Sequence, residues 1–205
     1  MILAIAGVNG AGKSSVLGEY LRSDGGVYFN PDEATKWLRD THPKMSLDEA
    51  NSLAWTLGYE QLKKSIDNNL DYAFETTLGG NSICNELIRA INLGVEVSIL
   101  YCGLNSPELH IQRVAARVAK GGHHIAEEKI RERWESSIKN LEQLIPNCAS
   151  VAVFDNSAEL VNGKPSPVKL FALSGNDFID EPILGMPAWA IRCASVAIKR
   201  HLSSN

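Results

Sequence analysis

What this sequence lacks narrows it first. No apolar run approaches the roughly 18 residues that a membrane-spanning helix needs, so no membrane association is expected. The four cysteines, Cys84, Cys102, Cys148 and Cys193, lie far apart without a C-x-x-C pair. That argues against a zinc site or a disulfide framework, and it predicts buried reduced thiols and a cytoplasmic protein. There is no surplus of positive charge: 20 Lys and Arg face 24 Asp and Glu, for a formal net charge of −4. A broad nucleic-acid footprint is therefore not expected, although phosphate can still be bound locally. No N-K-x-D guanine signature occurs, which weighs against a GTPase switch. The apolar start has no basic n-region and runs directly into glycines, so residues 2–6 read as a strand and not as a secretory segment. No repeat, low-complexity tract or linker divides the 205 residues, and a single domain over 1–205 is expected.

What is present begins at Gly7. The run Gly7-Val8-Asn9-Gly10-Ala11-Gly12-Lys13-Ser14 fits G-x-x-x-x-G-K-[ST], the phosphate-binding loop. It follows an apolar run and precedes Val16, Leu17, Tyr20 and Leu21 at helical spacing, so strand, loop and helix come in the required order. Glycines let successive N–H groups curl inward onto phosphate oxygens, and the next helix adds its positive end. Asn9, Gly10, Ala11, Gly12, Lys13, Ser14 and Ser15 form the expected nucleotide-binding set, with Ser15 chiefly a helix residue. Lys13 is expected to reach the β- and γ-phosphates, and the Ser14 hydroxyl to ligate Mg²⁺.

Along the chain, strands alternate with helices. Val27-Tyr28-Phe29 reads as a second strand, and Asn30-Pro31-Asp32-Glu33 carries the cap, the first-turn proline and the acids of a helix start. Ser46-Leu47-Asp48-Glu49 opens a long helix to about Asn69, with Leu47, Ala50, Ala54, Leu57, Leu62 and Ile66 as its buried stripe. Strands are expected at 71–75, 95–102 and 151–154, an edge strand at 168–173, and helices at 82–91, from Ser106, at about 126–144 and at 187–201. Asp155-Asn156-Ser157 reads as a turn and Val161 to Pro165 as irregular. The alternation predicts a three-layer α/β fold with a central, mostly parallel sheet of five or six strands and a helical lid over about 106–145.

Several side chains carry two readings. Asp32 sits in a first helical turn, where an acid is stabilised by the helix dipole, yet the second strand would also place it at the sheet edge beside the phosphate loop, where it could take a hydroxyl proton. Glu75 ends an apolar run; it either merely reaches solvent or holds a metal-bound water or substrate hydroxyl in place of a Walker-B acid. Thr76 and Thr77 offer hydroxyls to a polar substrate or cap the following helix. Arg113, Arg117, Arg131 and Arg133 flank Gly121-Gly122, so they are either solvated helix faces or a mobile lid whose guanidiniums close on the γ-phosphate. His123 and His124 have no acidic or Cys partners at ligand spacing and read as loop or lid contacts.

Taken together, GVNGAGKSS at 7–15, FNPDE at 29–33, FETTLGG at 74–80, RVAARVAKGGHHI at 113–125, RERWESSIKNLEQLIP at 131–146 and FDNS at 154–157 resemble the zeta toxin family of P-loop kinases over roughly residues 1–157. The resemblance implies a nucleotide-kinase-like fold, the cofactors ATP and Mg²⁺, and transfer of the γ-phosphate to a hydroxyl. In the best-known members the acceptor is the sugar of UDP-N-acetylglucosamine, the outcome is toxicity, and an antitoxin protein is the partner. It further implies Asp32 as general base, Lys13 and Ser14 on phosphate and Mg²⁺, Glu75 beside substrate or metal, and Arg117 ahead of Arg113 at the lid. The alternatives are a P-loop kinase for another hydroxyl, such as a different nucleotide sugar or a polynucleotide 5′ end, and a regulatory ATP-binding module with little turnover.

Overall fold

The structure is a computed structural model, and it describes residues 1–159 and 165–203. Six strands form one sheet in the order β2-β1-β3-β4-β5-β6: β1 Ile2–Ala6, β2 Tyr72–Thr76, β3 Val97–Gly103, β4 Ser150–Asp155, β5 Val168–Ser174 and β6 Asp177–Asp180. The first four run parallel, β5 pairs antiparallel with β4 and β6 antiparallel with β5, which gives the mostly parallel sheet that the alternation predicts. Strands Ile2–Ala6 and Val97–Gly103 are central and almost wholly buried, because both of their faces are covered by helices. The helices are α1 Glu19–Ser23, α2 Pro31–Thr41, α3 Leu47–Asp67, α4 Asn81–Asn92, α5 Pro107–Val118, α6 Glu127–Leu144 and α7 Ile191–Leu202. No helix among the described residues is long and apolar enough to cross a membrane. All four cysteines are free and buried, as their spacing predicts.

Four expectations need correction. Residues 27–29 make no strand: only Phe29 bridges to Phe74, donating its N–H to the Ala73 carbonyl and accepting from Glu75 N–H. The helix signal at Asn30-Pro31 takes over one residue later, and Val27 is left exposed, so no ladder can extend. In α3 the stripe runs Ala50, Ala54, Gly58, Leu62, Ile66, while Leu57 is exposed. Gly58 belongs to it because the Phe29 ring lies where its Cβ would be. Tyr20 is also exposed, since Ser14–Gly18 winds as a wider π-type turn and rotates the following face. Finally, the strand at 168–173 is not an edge: the two-residue Gly175-Asn176 turn folds β6 back on it as a hairpin, so β5 lies between β4 and β6 and β6 takes the edge. Residues 161–164 of the stretch read as irregular lie outside the described residues.

Helix ends follow the local chemistry. The Asn30 side chain accepts from the N–H groups of Asp32 and Glu33, and Ser46 and Glu49 form a reciprocal capping box. Lys199 and Arg200 stand in the last turn of α7, where positive charge meets the negative helix end. The caps matter beyond stability, because they place Asp32 at the carboxyl end of the sheet beside the glycine-rich loop.

Candidate active site

The loop between β1 and the first helix is held from behind. Gly7 has φ +138°, and a Cβ there would run into the Cys102 carbonyl oxygen of β3. Gly12 has φ +93°, and its missing side chain leaves room for the Asn156 amide. That amide donates to the Ala11 carbonyl at 2.9 Å, and the Cys102 thiol donates to the same oxygen at 3.2 Å. Ala11 is therefore turned inward: its N–H is donated to Val8 O and its methyl is buried. Asn9, Gly10, Gly12, Lys13, Ser14 and Ser15 line the open side, in a cleft of about 380 Å³.

Glu75 is the hub of that cleft. The Ser14 hydroxyl donates to its Oε2 at 2.7 Å, the Asn30 amide approaches the same oxygen at 3.4 Å, and Lys13 Nζ stands 3.5 Å from Oε1. Both Lys13 and Glu75 are nearly buried, so neither charge could be left alone without a large cost. The strand register puts Glu75 opposite Ile5 of β1, one residue short of the loop strand's end. Ser14 Oγ and the carboxylate make an oxygen donor pair of the kind Mg²⁺ accepts when phosphate and water supply the remaining positions. Among the described residues no cluster of three or more His, Cys, Asp or Glu could hold a metal without such help.

Asp32 lies across the cleft and is half exposed. Arg117 Nη1 approaches its Oδ2 at 3.5 Å and His123 Nε2 its Oδ1 at 3.9 Å, so groups from the end of α5 and the loop after it meet the acid in the first turn of α2. The other two guanidinium nitrogens of Arg117, Nε and Nη2, are buried without a partner and remain donors for an anion. Arg113 lines the same cleft and donates to the Ala158 carbonyl. Arg131 points away, paired with Glu108 at 2.6 Å. Arg133 reaches back to the loop, donating to Asn9 Oδ1 at 2.9 Å. Thr76 and Thr77 line the cleft, and their hydroxyls accept from the N–H groups of Leu78 and Gly79.

Sequence reading missed His110. It is 1% exposed, and its Nδ1 lies 2.8 Å from the Asn9 carbonyl, which can only accept, so Nδ1 carries the proton. Burial pushes its pKa down to about 4. A buried helical His beside apolar residues gives no signal in sequence of the loop it will touch. The consequence for stability has a definite sign. Between pH 6.5 and 4 the unfolded chain takes up a proton that the folded chain refuses, so the contribution of neutral His110 is complete above pH 6.5 and lost as pH falls to 4. Urea unfolding at pH 7 and pH 5 should show the parent losing about 2 kcal/mol more than His110→Asn, which keeps a donor near the Nδ1 position without titrating in this range. Equal losses would mean that His110 is not buried in its neutral form.

Comparison with known proteins follows the same lines. The family described as an AAA domain matches residues 2–144. An uncharacterised protein of Haemophilus influenzae is 30% identical over 128 residues, 62% of this chain and 88% of that one. Among solved structures, the AvrRxo1-ORF1:ORF2 complex with ATP superposes with a TM-score of 0.64 at 15% identity, over 88% of this chain and 60% of that chain. This chain therefore spans about three fifths of that protein's length. The structure described for the PezAT chromosomal toxin-antitoxin system of Streptococcus pneumoniae superposes with a TM-score of 0.55 at 15% identity, over 97% of this chain and 83% of that one. At such identities the likeness is one of fold, and it agrees with the three-layer P-loop architecture.

Proposed function

The chain belongs to the AAA domain family, and from that premise we propose that it is an ATP- and Mg²⁺-dependent kinase of the zeta toxin type, transferring the γ-phosphate to a hydroxyl of a small molecule. The observation that carries this reading is the convergence of Lys13, Ser14 and Glu75 with Asp32 and Arg117 on one cleft. Phosphoryl transfer needs positioning, a proton acceptor and positive charge, with little covalent work from the protein. Lys13 and the free donors of Arg117 supply charge for the γ-phosphoryl oxygens. Asp32 accepts the hydroxyl proton from a position opposite the loop. Ser14 and Glu75 would hold Mg²⁺, which would supply neutralisation of the phosphate charge. Thr76 and Thr77 border the space left for the acceptor.

UDP-N-acetylglucosamine is the reference acceptor that the family resemblance suggests, and an antitoxin-like protein is the matching partner. The direct test incubates protein, Mg²⁺ and labelled ATP with pooled hydroxyl compounds, including that nucleotide sugar. A phosphorylated small molecule is expected; label released only as phosphate would overturn the reading in favour of an ATPase, and no release at all in favour of a binding module.

The lid assignment makes a separate prediction. Gly121 closes α5 with φ +91°, and Gly122 N–H returns to the Arg117 carbonyl. With Arg117 at one end of this turn and Arg133 on the far helix, residues 113–133 should gain protection from hydrogen exchange when a non-hydrolysable ATP analogue and Mg²⁺ bind. Unchanged exchange there would count against a closing lid.

A further inference from the structure

A second cavity opens from the first and is not used by the nucleotide in the reading above. It has a volume of about 390 Å³ and shares Pro31, Glu75, Thr76 and Thr77 with the phosphate cleft. Its far wall is aromatic. Trp55 and Tyr59, one turn apart on α3, stack at 4.9 Å between centroids and 13° between planes. Phe29 and Phe74 form the adjoining wall, with Phe29 seated against Gly58. The Tyr59 hydroxyl donates to Glu86 at 3.4 Å, which anchors the far end of the ring. Trp55 stays 48% exposed, so a large apolar face is left open at the mouth of a polar reaction centre.

The charges of this cavity are balanced and already engaged. Those lining it are Glu75, Lys129, Glu132 and Arg133. Lys129 is paired with Glu132 at 2.9 Å, Arg133 donates to Asn9 in the loop, and Glu75 faces Lys13. Lys63, which approaches the Tyr59 ring at 5.7 Å, is paired with Glu60. Two positive and two negative side chains line it, so the cavity has no surplus positive charge to receive a diphosphate. Its volume lies near the lower end for small-molecule sites.

We propose that the cavity between Trp55 and Glu75 is the acceptor site, and that it selects an uncharged alcohol carrying a flat unsaturated ring. This rests on the kinase reading and narrows its acceptor. The ring lies against Trp55 and Tyr59, which favour a π-face. The hydroxyl points through the shared mouth toward Asp32. Its O–H proton passes to Asp32, its oxygen forms the new bond to the γ-phosphorus, and the bond from that phosphorus to the β-bridging oxygen breaks to release ADP.

The test uses uridine and phenyl glucoside as uncharged ring-bearing probes, UDP-N-acetylglucosamine as a charged one and glycerol as a ringless one. With ATP and Mg²⁺, at least one of the first two should show a kcat/KM at least tenfold above both others. Trp55→Ala should raise the KM for that probe at least tenfold, with kcat and the KM for ATP little changed, and Trp55→Phe should restore it. Independently of turnover, the same probes should quench tryptophan fluorescence in the parent and not in Trp55→Phe. Preference for the nucleotide sugar or glycerol, or indifference of KM to Trp55→Ala, overturns the proposal. Quenching that depends on Trp55 without transfer to any probe would leave the site standing and overturn the kinase reading; neither quenching nor transfer overturns both.

Discussion

Lys13→Ala is expected to lower phosphotransfer by ~10² to 10³ or more, the scale on which losing a single positioned donor to a developing charge is felt. Lys13 Nζ is nearly buried and lies over Glu75, so its ammonium is desolvated and aimed into the cleft, not at the core. The fold should survive at reduced stability: Glu75 loses its buried counter-charge, but its carboxylate keeps the Ser14 hydroxyl and the Asn30 amide as donors. Circular dichroism and melting would check the fold, and single-turnover transfer from labelled ATP would measure the loss. Transfer at the parent rate would sink the assignment of the loop.

Asp32→Asn separates three roles for one side chain. The substitution keeps size and hydrogen bonding while removing the ability to take up a proton. If Asp32 is the base, ATP affinity holds and kcat falls by ~10² or more. The helix cap itself belongs to Asn30, whose side chain accepts from the Asp32 and Glu33 N–H groups, so the variant leaves that cap in place. Asp32 contributes only the first-turn charge, and loss of that charge should shift melting slightly and leave kcat alone if capping were its whole purpose. Loss of Mg²⁺-dependent ATP affinity would instead assign it to the metal. Because Arg117 leans on Asp32 at 3.5 Å, the variant also removes the negative charge that this guanidinium faces, and tighter ATP binding would point to that coupling. Nucleotide titration and single-turnover transfer on one purified variant distinguish these outcomes.

Both predictions concern residues whose local setting is written within a few positions. Gly7 to Ser14 must curl because the glycines permit left-handed backbone and the lysine and serine follow at fixed spacing. Asn30-Pro31 starts a helix by hydrogen bonds that span two and three residues. The cysteines' burial and the alternation of strands and helices followed in the same way, from composition and periodicity. Where periodicity was read one residue out, at Leu57, the deciding contact was the Phe29 ring on Gly58, from a segment 29 positions earlier in the chain.

The sequence by itself determined the phosphate loop, the capped helix carrying Asp32 and the mostly parallel α/β architecture, because these depend on short-range sterics, hydrogen bonds and the match between apolar spacing and element period. Only the tertiary structure decided which charged groups meet. Ser14 reaches Glu75 across 61 positions, Arg117 reaches Asp32 across 85, Arg133 reaches Asn9 across 124, and Asn156 supports Ala11 across 145. It also decided that Trp55 and Tyr59 form an aromatic wall beside Glu75, since a helical stripe says which residues share a face but not what cavity the face will close. Such pairings are set by strand order and helix packing, which bring distant segments to one sheet edge, and no local rule encodes them.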